Sequence, residues 1–211
     1  VMEAQLEITS FGHAAVGLRL GGVTMIVDPG EFSQFPALDS FDAVLVTHDH
    51  FDHVDLSALG KAQQKKPELR VFSPVALEGV NAELVADGDV LAVGDLQVNV
   101  VGEEQAIASI YDPPIPNVGY LFAGQALHPG DAYQEIQDVD TLFLPMDGPW
   151  VKRADQERHL SQFPPKRIIP IHDVLFTTTG RDFARHTAEE MAARVGADCL
   201  VLHEGQWVGL D

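Results

Sequence analysis

Between Val46 and Asp55 the chain reads VTHDHFDHVD, three histidines and three aspartates in ten positions, directly after the apolar run Ala43-Val44-Leu45-Val46. A short apolar run bounded by polar residues reads as a buried strand. The polar cluster behind it is therefore a loop at a strand end. Positions two apart in an extended segment face the same way, so His48 and His50 can share one metal ion. A turn at Phe51-Asp52 then sends Asp52 and His53 toward a second. Imidazole and carboxylate are donors suited to Zn²⁺, Fe or Mn²⁺.

The rest of the chain alternates short strands with fewer helices. Segments 6–11, 16–20 and 23–27 read as strands, the last two joined by Gly21-Gly22, and Asp28-Pro29-Gly30 ends that unit. Asp55 reads as the N-cap of a helix through Leu56, Leu59 and Ala62 that stops at Pro67. Strands are expected at 71–73, 83–86, 90–93 and 97–101, then a hairpin of 118–122 and 125–128 around Ala123-Gly124. Further strands fall at 141–144 and 167–171, and a helix at 182–195 has Asp182 in its first turn and Gly196 as its stop. A strand at 200–203 closes the chain. Two β-rich halves with helices outside give an α/β fold, an αββα sandwich in four layers.

The 211 residues fit a single domain over 1–211, with 45% apolar residues, no repeat and no long apolar stretch. Val1-Met2-Glu3 lacks the basic and apolar regions of a signal segment, and Cys199 is the only cysteine, so a cytoplasmic setting is expected. The net charge of −19 disfavours nucleic acid and anionic membranes as partners and leaves a small-molecule substrate; oligomeric state is not legible. The one basic cluster, Lys61 with Lys65 and Lys66, reads as the solvated face of a helix.

HDHFDH resembles the HxHxDH signature of the metallo-β-lactamase superfamily. Phe11-Gly12-His13-Ala14 and Val27-Asp28-Pro29 resemble the amino-terminal strands of its small metal-dependent hydrolases, near the ascorbate phosphate lactonase branch. His128-Pro129-Gly130-Asp131 is similar to the later Gly-Asp element, and Ile169-Pro170-Ile171-His172 to the final ligand strand. The resemblance implies a dinuclear site at one edge of an αββα sandwich. His48 and His50 would hold one ion, Asp52, His53 and His172 the other, and Asp131 would bridge them. The alternatives are a turn aspartate for Asp131 and a strand-end histidine for His172. His13 would lie beside the metals or face substrate, unless it is a structural turn residue. His159 and His186 read as surface residues on helices, and His203 as a structural residue of the last strand.

One donor is missing. The family pattern places a histidine between the HxHxDH loop and the Gly-Asp element, yet residues 54–127 contain none. By the match to Gly-x-x-His-Ala, Gln105 in Gly102-Glu103-Glu104-Gln105-Ala106 replaces it, with Glu103 or Glu104 as substitutes. An amide oxygen is a poorer zinc ligand than imidazole, so the first site should be the weaker one, or hold a harder ion such as Mn²⁺. The expected activity is that of a metal-dependent hydrolase with one or two divalent ions, zinc first, in which a metal-bound hydroxide oriented by Asp52 attacks an ester, lactone or phosphoester. Trp150, after Asp147-Gly148-Pro149, would wall the pocket or pack in the core. The alternative function is a binding scaffold of the same fold that has lost turnover.

Overall fold

Gly21 and Gly22, with φ of 57° and 89°, form the positive-φ pair that folds β2 (Val16–Leu20) back onto β3 (Val23–Val27). The computed structural model describes residues 5–210; Val1, Met2 and Glu3, on which the signal-segment expectation rests, lie outside the described residues. In the first sheet β2 and β3 are joined by β1 (Glu7–Ser10), β4 (Ala43–Leu45), β5 (Arg70–Ser73) and β6 (Glu83–Leu84). The second sheet holds β7 (Val90–Val93), β8 (Leu96–Val101), β9 (Gly119–Phe122), β10 (Ala126–His128), β11 (Thr141–Pro145), β12 (Arg167–Ile171) and β13 (Asp198–Cys199). The last strand, β14 (Val208–Gly209), returns to pair antiparallel with β1.

The strand orders are β14-β1-β2-β3-β4-β5-β6 and β13-β12-β11-β10-β9-β8-β7. Each sheet is antiparallel at one side and parallel at the other, from β3 to β6 and from β10 to β13. Parallel neighbours need crossovers, and the helices supply them on the outer faces. α1 (Leu56–Lys65) links β4 to β5, α2 (Arg153–Gln162) links β11 to β12, and α3 (Thr178–Val195) links β12 to β13.

Side-chain alternation builds the layers. In β4, Ala43 and Leu45 enter the core between the sheets, where Ile8, Leu18 and Met25 meet Leu96, Phe122 and Phe143. Val44 points the other way, to Leu59 and Ala62 of α1. Ile168 of β12 likewise faces Ala188 and Met191 of α3, while Ile169 and Ile171 face inward. The result is the four-layer αββα sandwich. A helix as short as α1 is marginal alone, below the roughly 12–15 residues needed in water, so burial of Leu59, worth about 1.5–3 kcal/mol, and the Asp55 cap hold it. Asp55 Oδ1 accepts from Ala58 N at 2.8 Å, as expected.

Three expectations are corrected. α3 begins at Thr178, because Thr177 Oγ1 accepts from Gly180 N at 3.2 Å and caps it, so Asp182 lies beyond the first turn. His159 lies on a helix, as expected, but α2 buries it together with Gln156 and Leu160, although the apolar stripe is nearly absent. Residues 200–203 do not form a strand. Leu200 N still donates to Ile168 O at 2.9 Å, but the next ladder bond would need an N–H on Pro170. The Lys cluster does lie on α1 and its end, where Lys61 and Lys65 are exposed while Lys66 Nζ donates to Phe41 O at 2.7 Å. Among the described residues no helix is long and apolar enough to cross a membrane.

Candidate metal centre

The ligand loop lies against the turn that ends β3. Glu31 N donates to Phe51 O and Asp55 N to Pro29 O, both at 2.8 Å, and His53 N closes the loop's own turn onto His50 O at 2.9 Å. The contact is so close that a Cβ on Gly30 would sit 1.9 Å from Asp52 O. From the other sheet, β12 delivers His172 one residue past its end, and β10 leads through Pro129-Gly130 to Asp131. His172 N donates to His13 O at 2.8 Å, tying the two sheets together at this edge. His13, Asp28 and His172 all have left-handed backbones, with φ of 50°, 50° and 59°. Such residues cost about 1–3 kcal/mol each when not glycine, and they gather at sites rather than scatter.

Two sets of donor atoms converge here, His48 with His50 and Asp131, and Asp52 with His13, His53 and His172. His48 Nε2 lies 3.1 Å from His50 Nδ1, and His53 Nε2 lies 3.1 Å from His172 Nε2. Asp131 stands between the sets. Its Oδ1 is 3.2 Å from His53 Nε2 and 3.4 Å from His172 Nε2, while its Oδ2 is 3.7 Å from His48 Nε2. Asp52 Oδ2 is 3.5 Å from His172 Nε2 and 3.8 Å from His53 Nε2. Four ligands around Zn²⁺ at about 2.0–2.2 Å stand roughly 3.3–3.6 Å apart when tetrahedral. The observed spacings fit a cation at each set. Asp131 Oδ1 is buried with no hydrogen-bond partner, which is what a carboxylate oxygen aimed at a cation shows.

A residue that motif reading passed over as a strand end, Asp28, organises both sets. It is fully buried, and its oxygens accept from Thr47 N at 2.8 Å, Thr47 Oγ1 at 2.7 Å and His53 Nδ1 at 2.7 Å. With Nδ1–H given to Asp28, His53 aims Nε2 at the centre, where it presents a lone pair once that nitrogen gives up its proton. Thr47 has spent its one proton on Asp28, so at 3.0 Å it accepts from His48 Nδ1, and His48 Nε2 also presents a lone pair. Burial opposes ionising Asp28, but the surrounding His53, His128 and His48 hold its carboxyl below the usual range. Burial, then the charge on His53, pushes His48 down to about 3, so it is neutral and ready to ligate near pH 7. Burial also works against charging His53, yet Asp131 and Asp28 together raise it well above an ordinary imidazole. Asp52 and Asp131 are both held ionised by neighbouring histidines against the cost of burial. A centre that attracts positive charge this way loses protons when a metal enters.

The structure brings Gln105 to this centre. Its Nε2 lies 3.3 Å from Asp131 Oδ2, its Oε1 is buried without a hydrogen-bond partner, and Glu103 and Glu104 beside it are exposed. The O/N assignment of such an amide follows from its bonding network, and rotated it would offer oxygen where Nε2 now stands. Trp150 is buried and is more than a wall, since its Nε1 donates to Asp131 Oδ2 at 3.1 Å. Asn117 Oδ1 accepts from Asp131 N at 3.0 Å. Neither Asn117 nor Asp28 carries a spacing signal that singles it out. Trp150→Phe keeps an aromatic ring, though a smaller one, but removes that bond and is expected to weaken metal binding by about tenfold, the low end for groups that orient a ligand, as read by chelator competition.

The remaining histidines separate cleanly. His13 is buried, its Nε2 3.1 Å from Asp52 Oδ2 and its ring 3.8 Å from that of His172, so it joins the second set. His159, expected at the surface, is buried on α2 against Tyr133 and Phe163, because α2 packs that face inward. His186 is exposed, as expected, on α3. His203, expected within a strand, is exposed in a loop, for the reason Pro170 gives above. His128 is buried with Nε2 donating to Ala14 O at 2.8 Å, a link between sheets rather than a ligand.

Residues 7–172 match the model of the beta-lactamase superfamily domain, a span that ends on the last histidine of the centre. Protein Rv0786c of Mycobacterium tuberculosis is 30% identical over 83% of this chain and 88% of its own length. A UPF0173 metal-dependent hydrolase of Exiguobacterium sp. is 25% identical over 84% of this chain and 90% of its own. Among solved structures, the metallo hydrolase Igni18 of Ignicoccus hospitalis superposes with a TM-score of 0.72 at 18% identity, covering 98% of this chain and 99% of that one. The metallo-beta-lactamase fold protein YhfI of Bacillus subtilis gives 0.73 at 12% identity, covering 98% and 100%. At such identities these structures speak for the fold. With the family match over most of its length, the chain belongs to the metal-dependent hydrolases of the metallo-β-lactamase superfamily.

Proposed function

We propose that the chain hydrolyses a small-molecule ester, lactone or phosphoester at a two-cation centre, with zinc as the first choice of metal and Mn²⁺ or Fe as the alternatives. The observation that carries this reading is Asp131, whose two oxygens face two separate histidine sets. Asp52, His53 and His172 would hold one ion, His48, His50 and Gln105 the other, with Asp131 shared. Bound cations of this kind acidify a water and polarise the carbonyl or phosphoryl oxygen under attack. The chain's own groups do the orienting. Asp52, the most accessible of the centre's carboxylates, accepts a hydrogen bond from the attacking water and takes up its proton. His13 Nε2 donates to Asp52 Oδ2 at 3.1 Å and holds it in place, and Asp52 can return the proton to the leaving group. The charge of −19 supports a small molecule rather than nucleic acid as partner, and the single cysteine supports a cytoplasmic setting.

Gln105 favours a second reading, a metal-binding scaffold without turnover. Elemental analysis of protein purified without chelator is expected to find transition metal, held more tightly at Asp52, His53 and His172. Gln105→His should tighten the weaker site by on the order of tenfold, about 1.4 kcal/mol, in zinc and manganese titrations. In a hydrolase, turnover of an ester, lactone or phosphodiester then rises with it; in a scaffold, metal is gained and turnover is not. Unchanged stoichiometry and affinity would show that Gln105 is not at the missing position.

A further inference from the structure

Residues 106–115 form a loop with no strand or helix, pinned at its base by Gln105 N to Ile115 O at 2.9 Å and Asn117 N to Glu103 O at 3.0 Å. Inside it lies a cavity of about 300 Å³ lined by Gln105, Ala106, Ile107, Ile110, Pro113 and Ile115 among others. Gln105 is shared ground, since the same side chain contacts Asp131 at 3.3 Å. The cavity therefore adjoins the metal centre on the side of the weaker ion. The same loop carries Ile107 and Ile110, which line the cavity, and Tyr111, which does not, at 80%, 85% and 90% exposure the most exposed large apolar residues described. No lysine or arginine lines it, while Glu104 and Asp112 do.

We infer that this loop holds the apolar substituent of an uncharged substrate, an ester or lactone with an alkyl or aryl group, and that it selects against phosphorylated or carboxylated substrates. The inference rests on the hydrolase reading and narrows it. Within the loop an anionic group would meet acidic side chains and no lysine or arginine, in a chain already at −19. An apolar group gains by leaving water, and it covers surface that the free protein leaves exposed.

The test uses 4-nitrophenyl acetate, butyrate and octanoate with the zinc-loaded protein, beside calorimetric binding of 2-decanone, which cannot be hydrolysed. We expect kcat/KM to climb with chain length, by up to about fourfold per methylene, and 2-decanone to bind. Ile107→Asp and Ile110→Asp, both at exposed positions that the fold tolerates, should each cut the octanoate-to-acetate ratio and the 2-decanone affinity by about tenfold. Leu84→Asp, an exposed apolar residue on β6, should change neither. If 2-decanone binds, and the loop variants lose it, while no ester is cleaved, the cavity stands and the hydrolase reading fails. Absence of 2-decanone binding overturns the inference whatever the esters do. So does a flat chain-length profile, or faster cleavage of bis(4-nitrophenyl) phosphate than of the octanoate.

Discussion

Asp28→Asn is expected to lower zinc affinity by about 100-fold, the upper end for groups that orient a metal ligand, and to destabilise the fold by about 3–5 kcal/mol, the cost of breaking a buried charge pair. The change keeps the size of the side chain. It replaces an acceptor-only group by one that must aim an NH₂ at Thr47 N, Thr47 Oγ1 or His53 Nδ1, all of which donate to it now. His53 then loses the partner that fixes its tautomer, and Thr47 no longer has to accept from His48. One substitution thus loosens a ligand in each set without touching a donor atom. Chelator competition and thermal unfolding of the two proteins measure it. An affinity within threefold of the parent's (about 0.7 kcal/mol) would mean that the ligand loop holds its histidines without Asp28.

The importance of Asp28 could not have been read from the chain. Asp28-Pro29-Gly30 after an apolar run has the composition of a turn, and that is what it forms; its second role depends on β4 lying next to β3, a pairing no local pattern specifies. The loop itself was legible because its donors are consecutive, and the spacing of His48, His50 and His53 has meaning within one segment. Asp131 and His172 came from family resemblance, since each is far in sequence from what it meets in space, His172 119 residues from His53 and Asp131 26 from Gln105. The strands were legible where both faces have partners and alternation or apolar runs survive. The bounds and buried face of α2 were not, because a helix that buries only one edge carries little periodic signal, and the burial of His159 was lost with them. Gln105 was reached by aligning a motif with its histidine absent. The geometry adds what the alignment lacked, for Glu103 and Glu104 point to solvent and Gln105 touches Asp131.

Gly30→Ala is the smallest change expected to dismantle the centre. The new methyl would lie 1.9 Å from Asp52 O, 2.0 Å from Asp52 C and 2.5 Å from His53 N, all of them backbone atoms that no rotamer can move aside. Relief requires the ligand loop to retreat by more than an ångström or so, and catalytic constellations tolerate about 0.5 Å. Overpacking alone costs about 1–3 kcal/mol, which for a chain of this size lowers Tm by roughly 2–12 °C. Displacing Asp52 and His53 together should reduce zinc affinity and any turnover by on the order of 100-fold. Gly60→Ala supplies the comparison, because Gly60 lies within α1 and its added Cβ meets nothing nearer than Gly79 O at 3.6 Å. That variant is expected to gain about 0.5–1 kcal/mol from helix propensity and to bind zinc as the parent does. Thermal unfolding and zinc competition on the pair separate a general intolerance of alanine from the contact at Gly30. A Gly30→Ala protein with the parent's Tm and zinc affinity would show that the loop does not rest on this turn, and the bracing by Glu31, Asp55 and Pro29 would have to be abandoned with it.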